Sequence, residues 1–226
     1  MQFKERILPY VFGYITVVLL DLMCIAVEYL DSCRYITKPL ILCFLITFFL
    51  QNRTGLPKAI VCFMLLALVF SLLGDILLLF DKTHNLFFIG GLTSFLIAHV
   101  FYVLVFLKKR NKKKKSGVFL LITIVYGAIL LYIIQPNLNE LLIPVVLYMI
   151  VILSMSNTAY LREGKVNLHS YWYVFIGSLF FMFSDSFLAF NIFYKPVYMG
   201  GVVIMGTYAI AQFLLVYGMI REMNID

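Results

Sequence analysis

The sequence predicts an all-α polytopic membrane protein: a single transmembrane domain over residues 1–226, made of eight transmembrane helices. Three observations predict it. Of 226 residues, 63% are hydrophobic and 13% charged, with a mean hydropathy of +1.00; a soluble domain of this length could not hide so much apolar side chain. The apolar residues fall into blocks near the roughly 20 residues a helix needs to cross a hydrocarbon core about 30 Å thick. The cations, finally, are shared very unequally between alternate loops.

The first span is 8–28. The start MQFKERILPYVFGY resembles a signal peptide in its basic lead and apolar run. No small-x-small cleavage site follows, however, and Asp21 interrupts the run, so the segment is retained as a helix. The second span, 35–51, carries Lys38-Pro39, with the proline expected in its first turn. The third, 58–80, holds Asp75; the fourth, 86–107, holds Gly90, Gly91, His99 and Tyr102. Spans 117–135 and 140–159 are almost wholly apolar, 171–193 holds Asp185, and 198–220 holds Tyr208 and Gln212.

The net charge of +7 does not indicate nucleic acid, because of where it lies. With the N-terminus on one side, that side receives Lys4, Arg6, Arg53, Lys58, the run KKRNKKKK from Lys108 to Lys115, Arg162, Lys165 and Arg221. The other side receives Arg34, Lys38, Lys82 and Lys195. Fourteen cations against four is a positive-inside bias, which predicts cytoplasmic termini in a bacterial inner membrane or a eukaryotic endomembrane. The lysine run then serves as an anchor against anionic headgroups of the membrane lipids. Four cysteines without metal-ligand spacing, and one histidine inside the spans, give no reason to expect a zinc site or any other cofactor.

A shift of 110 residues superposes Asp75 on Asp185, Leu78 on Leu188, Phe80 on Phe190 and Gly90-Gly91 on Gly200-Gly201. Four helices separate the copies, so the expectation is a parallel 4+4 repeat about an axis along the membrane normal. Such an axis would place both aspartates around one cavity.

Ionisable residues inside spans cost about 2.5–3.5 kcal/mol each on insertion scales and therefore mark function. Here they are Asp21, Lys38, Asp75, His99 and Asp185, with Tyr102, Tyr208 and Gln212 as polar neighbours. At 1.5 Å per residue, Asp75 and Asp185 lie about 8 and 12 Å below the outer boundary, one shared level. His99 and Tyr102, three apart, share a helical face, as do Tyr208 and Gln212, four apart. A structural alternative stays open, in which Lys38 neutralises an aspartate and His99 bonds a carbonyl to fix packing.

At these residues the sequence resembles the YhhN-type lysoplasmalogenase family. The resemblance rests on Lys38-Pro39, Gly74-Asp75, Phe87-x-x-Gly90, Ala98-His99-x-x-Tyr102, Gly177, Ser184-Asp185-x-x-Leu188-Ala189, Tyr208-x-x-Ala211-Gln212 and Gly218. It implies hydrolysis of the vinyl ether of a lysoplasmalogen, a lysophospholipid, to a fatty aldehyde and glycerophosphoethanolamine or glycerophosphocholine. Asp75, Asp185 and His99 would be catalytic, and Lys38, Tyr102, Tyr208 and Gln212 would bind substrate, with Lys38 at the phosphate. A vinyl ether hydrolyses when an acid protonates its β-carbon and water attacks the resulting oxocarbenium ion. Two carboxyls dividing that labour have a parallel in glycosidases, and such a pair is expected to share a proton and titrate as a unit. Asp21 matches no feature of the family.

Two other classes use buried acids. An intramembrane aspartyl protease fits Gly74-Asp75, but Ser184-Asp185 lacks the tyrosine expected there. A proton-coupled transporter or lipid-binding protein fits the repeat, yet the spans show little of the Gly/Pro interruption that breaks transporter helices.

Overall fold

The computed structural model describes the backbone of residues 2–222 and the side chains of 8–222; Lys4 and Arg6, counted above, lie outside the described side chains. Among the described residues eight helices are long and apolar enough to cross a membrane, and there are no strands. They are α1 (Gln2–Ala26), α2 (Arg34–Asn52), α3 (Lys58–Leu78), α4 (Asn85–Lys108), α5 (Gly117–Ile134), α6 (Leu142–Tyr160), α7 (Leu168–Phe193) and α8 (Gly200–Arg221). The chain is an integral multi-pass membrane protein.

Local chemistry sets the helix ends. Helix α1 stops at Ala26, short of residue 28, because Val27 turns to extended backbone at φ −119°, ψ 104°. A 3₁₀ segment, Glu28–Cys33, then runs straight into α2. That early start corrects the expected place of Pro39: it is the sixth residue of α2, inside the helix, and not in its first turn. Helix α4 is capped by His84, whose Nδ1 accepts from the Leu86 N–H at 3.1 Å. Asn167 caps α7, accepting from the Ser170 N–H at 2.7 Å, so this helix begins three residues before the expected 171. Before α8, Met199 adopts a left-handed φ of 56°, and the helix begins at Gly200 and not at 198.

The most closely packed neighbours are α7 with α8 and α3 with α4. Small residues allow it: a Cβ on Gly177 would stand 3.0 Å from Leu214 Cβ and 3.1 Å from the Ala211 carbonyl. Gly91 likewise lets α4 approach α3, with Leu78 and the Gly74 carbonyl against it. Several neighbour relations come in pairs under the 110-residue shift: α3–α4 with α7–α8, α2–α3 with α6–α7, and α4–α6 with α2–α8. Helices α1 and α5 depart from it, since α1 also leans on α8 and α5 on α7. The 4+4 repeat therefore remains a proposal.

Candidate active site

Asp75 sits near the end of α3, 2% exposed, and is addressed from two other helices. From α2, Lys38 brings its Nζ within 3.5 Å of Asp75 Oδ1. From α8, the Tyr208 hydroxyl donates to Oδ2 at 2.7 Å. Behind Tyr208, Gln212 Nε2 donates to the Tyr208 oxygen at 3.3 Å, and the Tyr102 hydroxyl of α4 donates to Gln212 Oε1 at 2.7 Å. The i, i+4 pair Tyr208/Gln212 does share a face, and that face points at α3 and α4.

Asp185 on α7 has different company. The Tyr148 hydroxyl of α6 donates to its Oδ2, and His99 Nε2 of α4 lies 3.8 Å from the same oxygen. The other ring nitrogen, His99 Nδ1, is 2.6 Å from the Phe95 carbonyl. A carbonyl only accepts, so Nδ1 carries a hydrogen, and Nε2 is the nitrogen that faces Asp185. The edges of Phe181 and Tyr148 hold the imidazole, with centroids 4.5 and 5.3 Å away.

Both aspartates line one cavity of about 390 Å³, together with Lys38, Tyr148 and Tyr208. It opens past Arg34 and Lys82, on the face opposite the lysine run. His99, Tyr102 and Gln212, three of the seven residues to which the family resemblance gives a site role, are fully buried behind the cavity wall. Tyr102 and Gln212 reach Asp75 through the Tyr208 hydroxyl, His99 stands 3.8 Å from Asp185 without a hydrogen bond, and none of the three lines the cavity. Among the described residues no hydrogen bond joins the two carboxylates directly; each has its own partner set.

Tyr148 was missed by sequence reasoning. It is one of fifteen tyrosines and has no charged residue within one helical turn, so only the fold shows that it faces Asp185. Asp21, which matched no motif, is fully buried near the end of α1. Its Oδ1 accepts from the Thr37 hydroxyl at 2.6 Å and lies 4.0 Å from Arg34 Nε, while its Oδ2 has no hydrogen-bond partner. At the other end of the bundle Arg162, counted above as a topology charge, is fully buried and donates to Glu222 at 2.7 Å, clamping the α6–α7 turn to the end of α8. Burial pushes this guanidinium down from its usual range, and Glu222 opposes the shift.

Residues 33–219 match the YhhN family. The chain belongs to that family. Among curated proteins it is 30% identical over 156 residues to human lysoplasmalogenase TMEM86B; the match takes in 69% of this chain and 62% of that relative's length. No solved structure matches it. The YhhN match contains Lys38, Asp75, Tyr148, Asp185 and Tyr208 of the cavity lining, so both acids belong to the part of the chain that carries the family likeness.

Proposed function

We propose that this YhhN-family protein is a lysoplasmalogenase, hydrolysing the vinyl ether of a one-chained ether phospholipid to a fatty aldehyde and a glycerophospho-alcohol. The single observation that carries the reading is the unlike company of two carboxyls on one cavity. Asp75 has a cation and a hydroxyl donor, Lys38 and Tyr208; Asp185 has a hydroxyl and an imidazole, Tyr148 and His99. Family membership and the name of the human relative point the same way.

The labour divides accordingly. Asp185, with no lysine or arginine among its described partners, holds the proton and delivers it to the β-carbon of the vinyl ether. The C=C electrons form the new C–H bond and the ether oxygen lone pair forms the C=O⁺ of an oxocarbenium ion. Asp75, ionised beside Lys38, steadies that cation and takes a proton from the attacking water. The hemiacetal collapses as its hydroxyl proton leaves and the glycerol oxygen gains one, releasing the aldehyde. His99 is a positioning residue, its ring standing against the Asp185 carboxyl 3.8 Å from Oδ2, and Tyr102 with Gln212 positions Tyr208. Lys38, tied to Asp75, serves charge balance at the reacting end, with Tyr208 beside it. The termini face the cytoplasm, following the positive-inside bias, and the cavity faces the other way.

Hydrolysis in D₂O tests the step itself. One deuterium is expected on the aldehyde's α-carbon, with no aldehyde from the saturated alkyl-ether analogue and at least about a hundredfold less from Asp75→Asn or Asp185→Asn. Absence of aldehyde from folded protein given the vinyl ether would overturn the reading.

A further inference from the structure

The cavity mouth carries charges that the hydrolysis reading does not use. Arg34 opens α2 one helical turn above Lys38, and Asp81 and Lys82 follow the end of α3 above Asp75. Tyr35 packs against Phe80 at a tilt of 41°, with centroids 5.4 Å apart, joining these two rims. Arg34 is not a loose surface cation. Its side chain is 23% exposed, its Nη1 is 3.7 Å from Asp31, and its Nε is 4.0 Å from the fully buried Asp21. Nε makes no hydrogen bond, nor does Asp21 Oδ2, so the pair is held by charge and packing and not by a closed fork.

We infer that the mouth is a headgroup subsite for a zwitterionic phosphodiester, with Arg34 and Lys82 taking the phosphate, Asp81 the ammonium, and Asp21 positioning Arg34. The inference rests on the lysophospholipid reading of the same cavity. Spacing supports it: one helical turn separates Arg34 from Lys38, about 6 Å. The five bonds from ether oxygen to phosphorus, at about 1.5 Å each, span a similar distance when extended. An ether oxygen between the two acids therefore sets the phosphate at the rim. The charges support it as well. Two cations and two carboxylates, Arg34 and Lys82 with Asp31 and Asp81, line the mouth, a balance that complements a zwitterion and disfavours a phosphate monoester with no amine. Arg is the side chain suited to a phosphate fork, and an acid behind it fixes the plane of that fork. Asp21, which no catalytic step needs, thereby acquires a role at the place where its burial otherwise makes little sense.

Binding of non-hydrolysable 1-O-alkyl lipids to the full-length protein in nanodiscs tests this without depending on turnover. Three lipids are compared: 1-O-alkyl-glycerophosphoethanolamine, 1-O-alkyl-glycerol 3-phosphate and 1-O-alkyl-glycerol. Free glycerophosphoethanolamine is the control for a soluble phosphodiester. The zwitterionic lipid is expected to bind about tenfold more tightly than the other two, and the free headgroup to compete only at far higher concentration. In R34Q that tenfold preference is expected to collapse toward one. K82A, at an exposed position, is expected to reduce it severalfold; Asp81→Asn should narrow the gap between ethanolamine and bare phosphate only. Asp21→Asn should repeat the R34Q loss, with K82A guarding against a folding defect at the buried site. Equal affinity for the three lipids, or an unchanged preference in both R34Q and K82A, would overturn the subsite. The hydrolase reading fails separately: an intact preference without aldehyde release leaves the subsite and removes the enzyme, whereas aldehyde release without preference does the reverse.

Discussion

Tyr102 and Gln212 lie 110 residues apart in the chain and meet at 2.7 Å, hydroxyl to amide oxygen, where neither has any solvent exposure. Their bond is the far end of a line that runs through Gln212 Nε2 and the Tyr208 hydroxyl to Asp75. Each group in it spends its donor on the next, so the direction of the Tyr208 O–H is set from behind and points at the carboxylate. The line fixes one lone pair of Asp75 while Lys38 addresses the other oxygen. What remains open is the carboxylate's face toward the cavity.

The two ends of that line should respond differently to removal. Tyr208→Phe strips a hydrogen bond to a charged group, a contribution of about 1.5–3 kcal/mol. On the reacting carboxylate that corresponds to a fall in kcat of about ten- to a hundredfold. Tyr102→Phe instead leaves Gln212 Oε1 buried without a donor, which should cost about 1–3 kcal/mol of stability and change kcat less than severalfold. Melting temperature in detergent and aldehyde release, measured on both variants, separate the two roles. Equal losses of kcat would place Tyr102 at the substrate.

Lys38 and Asp75 are each almost wholly buried, so each is the other's main compensation. Lys38→Met should destabilise by about 3–5 kcal/mol, because it leaves a buried carboxylate uncompensated. Adding Asp75→Asn removes the stranded charge, and the double variant should recover much of the loss while staying inactive. Denaturation of the two singles and the double gives the coupling energy directly. Additive losses would mean that the 3.5 Å contact carries no coupling.

Much of this was legible in the sequence, for reasons that can be stated. Eight spans were readable because lipid demands long apolar runs with their backbone groups satisfied internally. Lys38, Asp75, His99 and Asp185 stood out because ionisable groups are rare in such runs. The ends of the helices were less legible, because caps such as Asn167 and the 3₁₀ segment before Arg34 act through local backbone geometry that hydropathy does not record. Tyr148 was invisible for a different reason: a tyrosine is ordinary in an apolar span, and only packing of α6 beside α7 turns its hydroxyl onto Asp185. Periodicity placed Tyr102 and Gln212 on useful faces but could not say that other side chains stand between them and the cavity. Asp21 and Arg34 lie on different elements, and their approach depends on the turn that joins α1 to α2.

The Asp185 side of the cavity makes a sharper kinetic prediction. His99 reaches Asp185 from behind the wall, and its Nε2 has no hydrogen-bond partner within normal range. If it positions the acid, H99A should lower kcat about ten- to a hundredfold with KM nearly unchanged, and Tyr148→Phe should do likewise. Asp185→Asn, which removes the proton donor itself, should cost about 10²- to 10⁴-fold or more. Steady-state kinetics on the vinyl ether lysolipid checks all three. A rise in KM alone for H99A would put the ring in contact with substrate and reverse its assignment.

The packing of α7 on α8 can be tested through two glycines that differ only in their surroundings. At Gly177 an added methyl would meet the Ala211 carbonyl and the Leu215 nitrogen, both at 3.1 Å, as well as Leu214 Cβ at 3.0 Å. Backbone cannot yield as a flexible side chain does, so Gly177→Ala should push the helices apart and cost about 1–3 kcal/mol. Because α8 carries Tyr208 and Gln212, the displacement should also reach Asp75 and lower activity beyond what the lost stability explains. At Gly206, on the same helix pair, nothing lies within 4 Å of the added methyl. Gly206→Ala should therefore be neutral or stabilise by about 0.4–1 kcal/mol, through the lost freedom of the unfolded chain. Thermal melts of the two variants, side by side, read the difference. Equal stabilities would mean that the α7–α8 contact has more room at Gly177 than the 3.1 Å left to an added methyl implies.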